Sequence, residues 1–302
     1  MVLKKIIILV FLGVTFVNAN GNLMEGLTNI VDKAEDKKAE DKKVLNYAFK
    51  QRMRTQWIAR DILLVSMDFD ASHYQNEAIK NANAFNENFY KLIESKADIE
   101  KAEKLYPNFP KKVNELNITW SKFYESVKKI SKDKKDKESV KFIVENNIKL
   151  LDDISYIFTH FINSYQSSDK LEASMAHIKS MLYTQVGKPR LYVNRMVKNK
   201  LSLEKNIAVK ESKKSIQEDI EKMDQLMKAL KDGDKELELN GTEDRKILEK
   251  LSVSQSLWEE VKVLIQKKKL KKEEWSILIQ KNDDFIEAQT EVVKLTLASN
   301  DN

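Results

Sequence analysis

Two arginines stand where apolar side chains belong. Residues 44–67 read VLNYAFKQRMRTQWIARDILLVSM, and every third or fourth residue gives Leu45, Ala48, Arg52, Thr55, Ala59 and Ile62. This is a helical seam with one guanidinium at its centre. Tyr183, Val186, Arg190, Val193 and Val197 repeat the frame 138 positions later. A guanidinium in such a seam must meet a carboxylate, backbone carbonyls, water or a bound anion, because burying a lone charge is very costly. Its planar fork suits planar oxyanions, to which it donates two parallel hydrogen bonds. Gln51, Thr55 and Gln56 are neutral polar groups beside Arg52, whereas Val193 replaces Thr55 in the second copy. The candidate ligand-binding set is Arg52, Thr55, Gln56 and Arg190, with the first copy preferred. The same spacing also allows a structural reading, with each arginine held in an internal ion pair or extended to solvent.

The remaining chemistry is sparse. His73, His160 and His177 share no metal-like spacing, and there is no HExxH, nucleophile elbow or glycine-rich phosphate loop. With no cysteine there is no thiolate site. No catalytic residue, metal or cofactor is expected, and the protein is read as not an enzyme. Trp120 and Trp258 match at an offset of 138 and read as core packing, while Asn147 and Asn282 read as amides that fix helix register.

The elements that carry these residues form a repeated plan. Helix 1 is expected over 44–67 and helix 2 over 72–104. YPNFP breaks the chain at Pro107 and Pro110. Helix 3 covers 111–130 with Val113, Leu116, Trp120, Phe123, Val127 and Ile130 on one face, and helix 4 covers 139–165. The second set begins at 171–203, where Gly187–Arg190 is expected to interrupt the helix because of Pro189. Ile216, Ile220, Met223, Met227 and Leu230, then Leu251, Ser254, Trp258, Val261 and Ile265, each fall 138 after a partner; in the last helix the offset becomes 135. Matched seams in four successive helices indicate a tandem duplication. Six glycines and three prolines in 302 residues leave few turns. The fold class is therefore all-α: two tandem antiparallel four-helix bundles, 44–165 and 166–302, expected to stack end to end as a rod.

The N-terminus has Lys4 and Lys5, an apolar run over 6–17 and Val17-Asn18-Ala19. This predicts a signal peptide over 1–19 and an exported, periplasmic protein. Twelve apolar residues fall short of the roughly 20 that span a bilayer. Residues 20–43, with their tandem AEDKK, read as a charged tether. The net charge of +6 comes from interspersed lysines and acids, so no nucleic-acid partner is expected.

KQRMRTQWIARDILL at 50–64 resembles the signature of the PilJ-type sensor family, the N-terminal domain of type IV pilus methyl-accepting chemotaxis transducers. Members typically read AGRQRMLSQRMAK there. Gln51–Met53, Gln56 and Ala59 match and Arg60 replaces a lysine; Phe49 and Trp57 depart from the pattern. The second copy keeps Gly187, Arg190, Arg195, Met196 and Lys198. Residues 240–265 are similar to the family's third helix, and the asparagine near the start of each fourth helix also fits. The family is related to the periplasmic domains of nitrate-responsive kinases, in which a helix 1 arginine binds nitrate between two helix 1 copies of a dimer. The resemblance thus implies a small anion, nitrate or nitrite, at Arg52 and at Arg190, and a homodimer; the duplication leaves open whether the two modules pair within one chain or between two. The sequence ends at Asn302 without the membrane helix and signalling domain of such sensors, so a membrane chemoreceptor or sensor kinase is the expected partner. The competing expectation is a scaffolding rod that binds proteins, its arginines in internal ion pairs. The surroundings of Arg52 separate the two.

Overall fold

The computed structural model describes residues 50–94, 96–164 and 170–299. The expected signal peptide and tether lie outside the described residues. So do the ends of helix 1 before residue 50.

Nine helices occur among the described residues: α1 over 50–66, α2 (Ala71–Glu94), α3 (Lys96–Leu105), α4 (Phe109–Ile130), α5 (Lys137–Ser164), α6 (Lys170–Glu204), α7 (Val209–Asp232), α8 (Arg245–Gln266) and α9 (Lys272–Ser299). The all-α class holds. In the second half α6 packs on α7, α7 on α8, α8 on α9 and α9 back on α6, which closes a four-helix bundle. In the first half α4 packs on α5, and both contact α3.

Each boundary has a local cause. Pro110 sits in the first turn of α4, where a missing N–H costs nothing. Asp244 caps α8 by accepting from the Lys246 and Ile247 amides. Gly233 ends α7 at φ 86°, and a Cβ on Gly241 would lie 2.6 Å from the Gly233 nitrogen, so this turn admits only glycine there. The expected second helix of the first half is described in two stretches, α2 and α3, on either side of residue 95, which lies outside the described residues. The expected break at Gly187–Arg190 does not occur. Pro189 lies inside a continuous α6. A proline in a helix costs about 3 kcal/mol, and here burial of Val186, Val193, Met196, Val197 and Leu201 on the same helix offsets it.

The core confirms the duplication in three dimensions. Trp120 and Trp258 are both fully buried. The Trp120 indole N–H donates to Asn86 Oδ1 at 3.0 Å and that of Trp258 to Asp224 Oδ1 at 2.7 Å, so donor and acceptor are both copied at an offset of 138.

The bundles lie side by side, not end to end. Lys205 at the end of α6 donates to the Ser66 carbonyl at the end of α1 (3.1 Å), and Arg60 of α1 reaches Asp283 of α9 at 2.6 Å. An end-to-end rod would hold these groups tens of ångströms apart. Near the other end of α1, the charges of Arg52 and Lys188 are within electrostatic reach. The two first helices therefore run parallel and in register. They are covered on all sides: no residue from 51 to 65 or from 185 to 203 is exposed.

A candidate anion site at the paired first helices

Charged residues on helices covered all round must find partners within the protein, and most of them do. Arg60 pairs with Asp61 at 2.9 Å and with Asp283 across the seam. Arg195 holds Asp219 of α7 with two hydrogen bonds, one of 2.7 Å from Nε. Lys200 donates to the Lys267 carbonyl.

Arg52 is different. Its Nη2 donates to Thr159 Oγ1 at 3.1 Å and lies 3.4 Å from the Ser155 carbonyl, both on α5. Among the described residues no carboxylate forms a salt bridge with it. Burial holds its pKa below the usual guanidinium range, and no acid counters that shift. Its Nε is buried and makes no hydrogen bond, as are both amide atoms of Gln51 and Oε1 of Gln56. Such atoms are hydrogen-bonding capacity that a polar ligand can take up.

A second cation faces this region from the other half. Lys188 of α6 is half-buried, and its ammonium donates to Gln185 Oε1 at 2.7 Å. Burial first, then Arg52 and Lys222, push its pKa down. Two cations of one sign thus lie within electrostatic reach of each other across the seam, with only neutral acceptors bonded to them among the described residues. Coulomb repulsion at a partly buried site is poorly screened, so an anion between them is favoured.

The other expected site residues divide. The Thr55 hydroxyl donates back to the Arg52 carbonyl at 2.8 Å, and Gln56 Nε2 donates to Thr55 Oγ1 at 3.1 Å. These two residues support the α1 backbone beside Arg52, and only the Gln56 carbonyl oxygen is uncommitted. Arg190 Nη1 donates to Thr290 Oγ1 of α9 at 3.1 Å. Thr290 corresponds to Ser155 at the offset of 135, so each arginine is received by the fourth helix of its own bundle. Asn147 donates to the Thr55 carbonyl at 2.6 Å and ties α5 to α1, whereas Asn282 turns to Asp283 at 2.9 Å.

Sequence reasoning missed Lys188, Asp61 and Asp283. Lys188 lay in plain view beside Arg190, but only the side-by-side placement of the halves brings it to Arg52. An open cleft of about 490 Å³ between α4 and α5, lined by Lys122, Glu125, Lys129 and Glu138 among others, is separate from this site. Ser139 at its edge and Thr159 at Arg52 are roughly 30 Å apart along α5. Among the described residues no cluster of His, Asp and Glu could hold a metal ion, and no helix is long and apolar enough to cross a membrane. In comparisons with known proteins the chain matches no family model, no curated protein and no solved structure.

Proposed function

We propose that this protein is a non-enzymatic sensor-type binding protein that takes up a small anion between Arg52 of α1 and Lys188 of α6. One observation carries the reading: Arg52 is a buried guanidinium met by a hydroxyl and a carbonyl but by no carboxylate among the described residues. The scaffold reading called for an internal ion pair at Arg52. This chain does make such pairs, at Arg60 and Arg195, which makes the neutral surroundings of Arg52 more telling.

The ligand class follows from the donors. A planar fork and a nearby ammonium suit a singly charged planar oxyanion, nitrate or nitrite, better than a large polyanion. The resemblance of residues 50–64 to PilJ-type sensors supports the same class. In this reading the two halves supply, within one chain, the pair of first helices that the resemblance places in two subunits. Neutralising the repulsion between Arg52 and Lys188 draws α1 and α6 together, which is a differential interaction able to shift a packing equilibrium. Export through residues 1–19 and reporting to a membrane chemoreceptor or sensor kinase complete the proposal.

Calorimetric titration with nitrate, nitrite, chloride and sulfate tests it. Saturable binding of nitrate or nitrite in preference to the other two, weakened in Lys188→Met, is the expected result. Equal weak heats for all four anions, unchanged in Lys188→Met, would refute it.

A further inference from the structure

The helix connections at one end of the molecule concentrate positive charge. Residues 128–137, from the last turn of α4 to the first residue of α5, hold six lysines against two aspartates, and residues 267–272, from the end of α8 to the first residue of α9, hold five lysines and no acid. These two short stretches alone exceed the net +6 of the entire chain, so the rest of the sequence is net acidic. Every one of these lysines is exposed.

Both loops lie at the same end. Lys134 pairs with Asp68 just beyond α1 at 2.5 Å, and the adjoining Ser66 carbonyl receives Lys205 at the end of α6. Lys200, one turn earlier on α6, donates to the Lys267 carbonyl. Because the bundles lie side by side, their basic tips face the same direction. Internal acids neutralise only part of the charge: Lys134 has Asp68, Lys128 has Glu125 and Lys267 has Glu274. No salt bridge engages Lys268, Lys269, Lys271 or Lys272 among the described residues.

We propose that this end of the molecule docks on an anionic lipid bilayer. Clusters of four to eight exposed lysines are attracted to anionic headgroups by about 1 kcal/mol each. Two tips facing one way match a plane of charge rather than a groove. All the cations are lysines, point charges without the planar fork that reads individual phosphates. Neither loop offers an aromatic side chain for stacking on a base, which argues against single-stranded nucleic acid. Val263 and Ile277 lie about one turn from the second loop on the helices it joins, and they are 58% and 49% exposed. Apolar side chains beside lysines favour an interface of headgroups and acyl chains. The surface lies at the opposite end of α1 and α6 from Arg52 and Lys188, so lipid docking leaves the anion site open.

Co-sedimentation of the purified protein with phosphatidylglycerol-containing vesicles tests this, with pure phosphatidylcholine vesicles alongside. Expected is sedimentation with the anionic vesicles only, lost as salt rises from tens to hundreds of millimolar because screening shortens the Debye length. Replacing Lys268, Lys269, Lys271 and Lys272 by Gln lowers partitioning on the order of a thousandfold. Lys228→Gln/Lys231→Gln at the far end of α7 leaves it unchanged. Thermal melts of both variants separate lost docking from lost folding. Equal sedimentation with neutral vesicles, or no loss in the quadruple variant, overturns the proposal. So does binding to duplex DNA at a salt concentration where anionic vesicles remain unbound.

Discussion

Each half places a cation at the same point of its first helix, Arg60 in one and Lys198 in the other, and the two are treated in opposite ways. Arg60 is followed by Asp61 and reaches Asp283. Lys198 is followed by Asn199 and has no salt bridge among the described residues, although it is only 2% exposed. Burial, reinforced by Arg195, pushes its ammonium down to about 7. Meanwhile the tryptophans, their acceptors and the flanking seams are copied closely between the halves. The duplicated packing records how the chain folds. The polar positions that diverged, Arg60 against Lys198 and Thr55 against Val193, are where the two copies differ in chemistry.

The strongest break in this comparison is at Asp219. It is buried and engages Arg195 with both oxygens. Asp219→Ala leaves a buried guanidinium without its partner and costs about 3–5 kcal/mol, a fall in melting temperature of roughly 10 °C for a chain this long. A thermal melt reads it directly.

The pH dependence comes next. An unfolded lysine keeps its proton to about pH 10.4, whereas folded Lys198 releases it near 7. Between those values the unfolded chain binds more protons, so stability rises with pH. Asp61 has the opposite sign. Burial raises its carboxyl to about 6 against about 3.9 unfolded, so between those values the folded chain binds more protons and stability falls as pH rises. Together the two groups place a minimum of stability between about pH 6 and 7. Lys198→Met removes the alkaline rise and stabilises the protein at pH 6 by about 1–4 kcal/mol; Asp61→Asn removes the acid-side fall. Denaturant melts over pH 4–10 give both slopes.

The smallest effect is expected at Asp283. Its carboxylate is 46% exposed, and Arg60 keeps Asp61 when Asp283 is lost. Asp283→Ala costs about 1 kcal/mol or less, measured by urea denaturation. A loss as large as that at Asp219 would mean that the seam depends on this one contact.

Helix identity, the duplication and the buried tryptophans were legible because a 3.6-residue period and a fixed offset are written along the chain. The side-by-side arrangement was not. Arg60 and Asp283 are 223 positions apart, and no local pattern announces that pairing. The continuity of α6 through Pro189 was hidden for a related reason: proline's local penalty is visible in sequence, while the all-round burial that outweighs it is not. Arg52 was legible as an apolar-seam anomaly, but Lys188 acquires meaning only once α1 and α6 are neighbours. Thr55 and Gln56 were chosen for type and proximity, and their hydrogen bonds turn them mostly toward their own helix.

The most direct test is a calorimetric nitrate titration of the purified protein beside Arg52→Ala and Arg190→Ala, in a buffer of weakly competing anions. The account predicts one saturable site per chain that vanishes in Arg52→Ala and survives, at most weakened, in Arg190→Ala. No nitrate or nitrite binding by the unaltered protein, with Arg52→Ala losing several degrees of melting temperature, would contradict it and make Arg52 a structural residue.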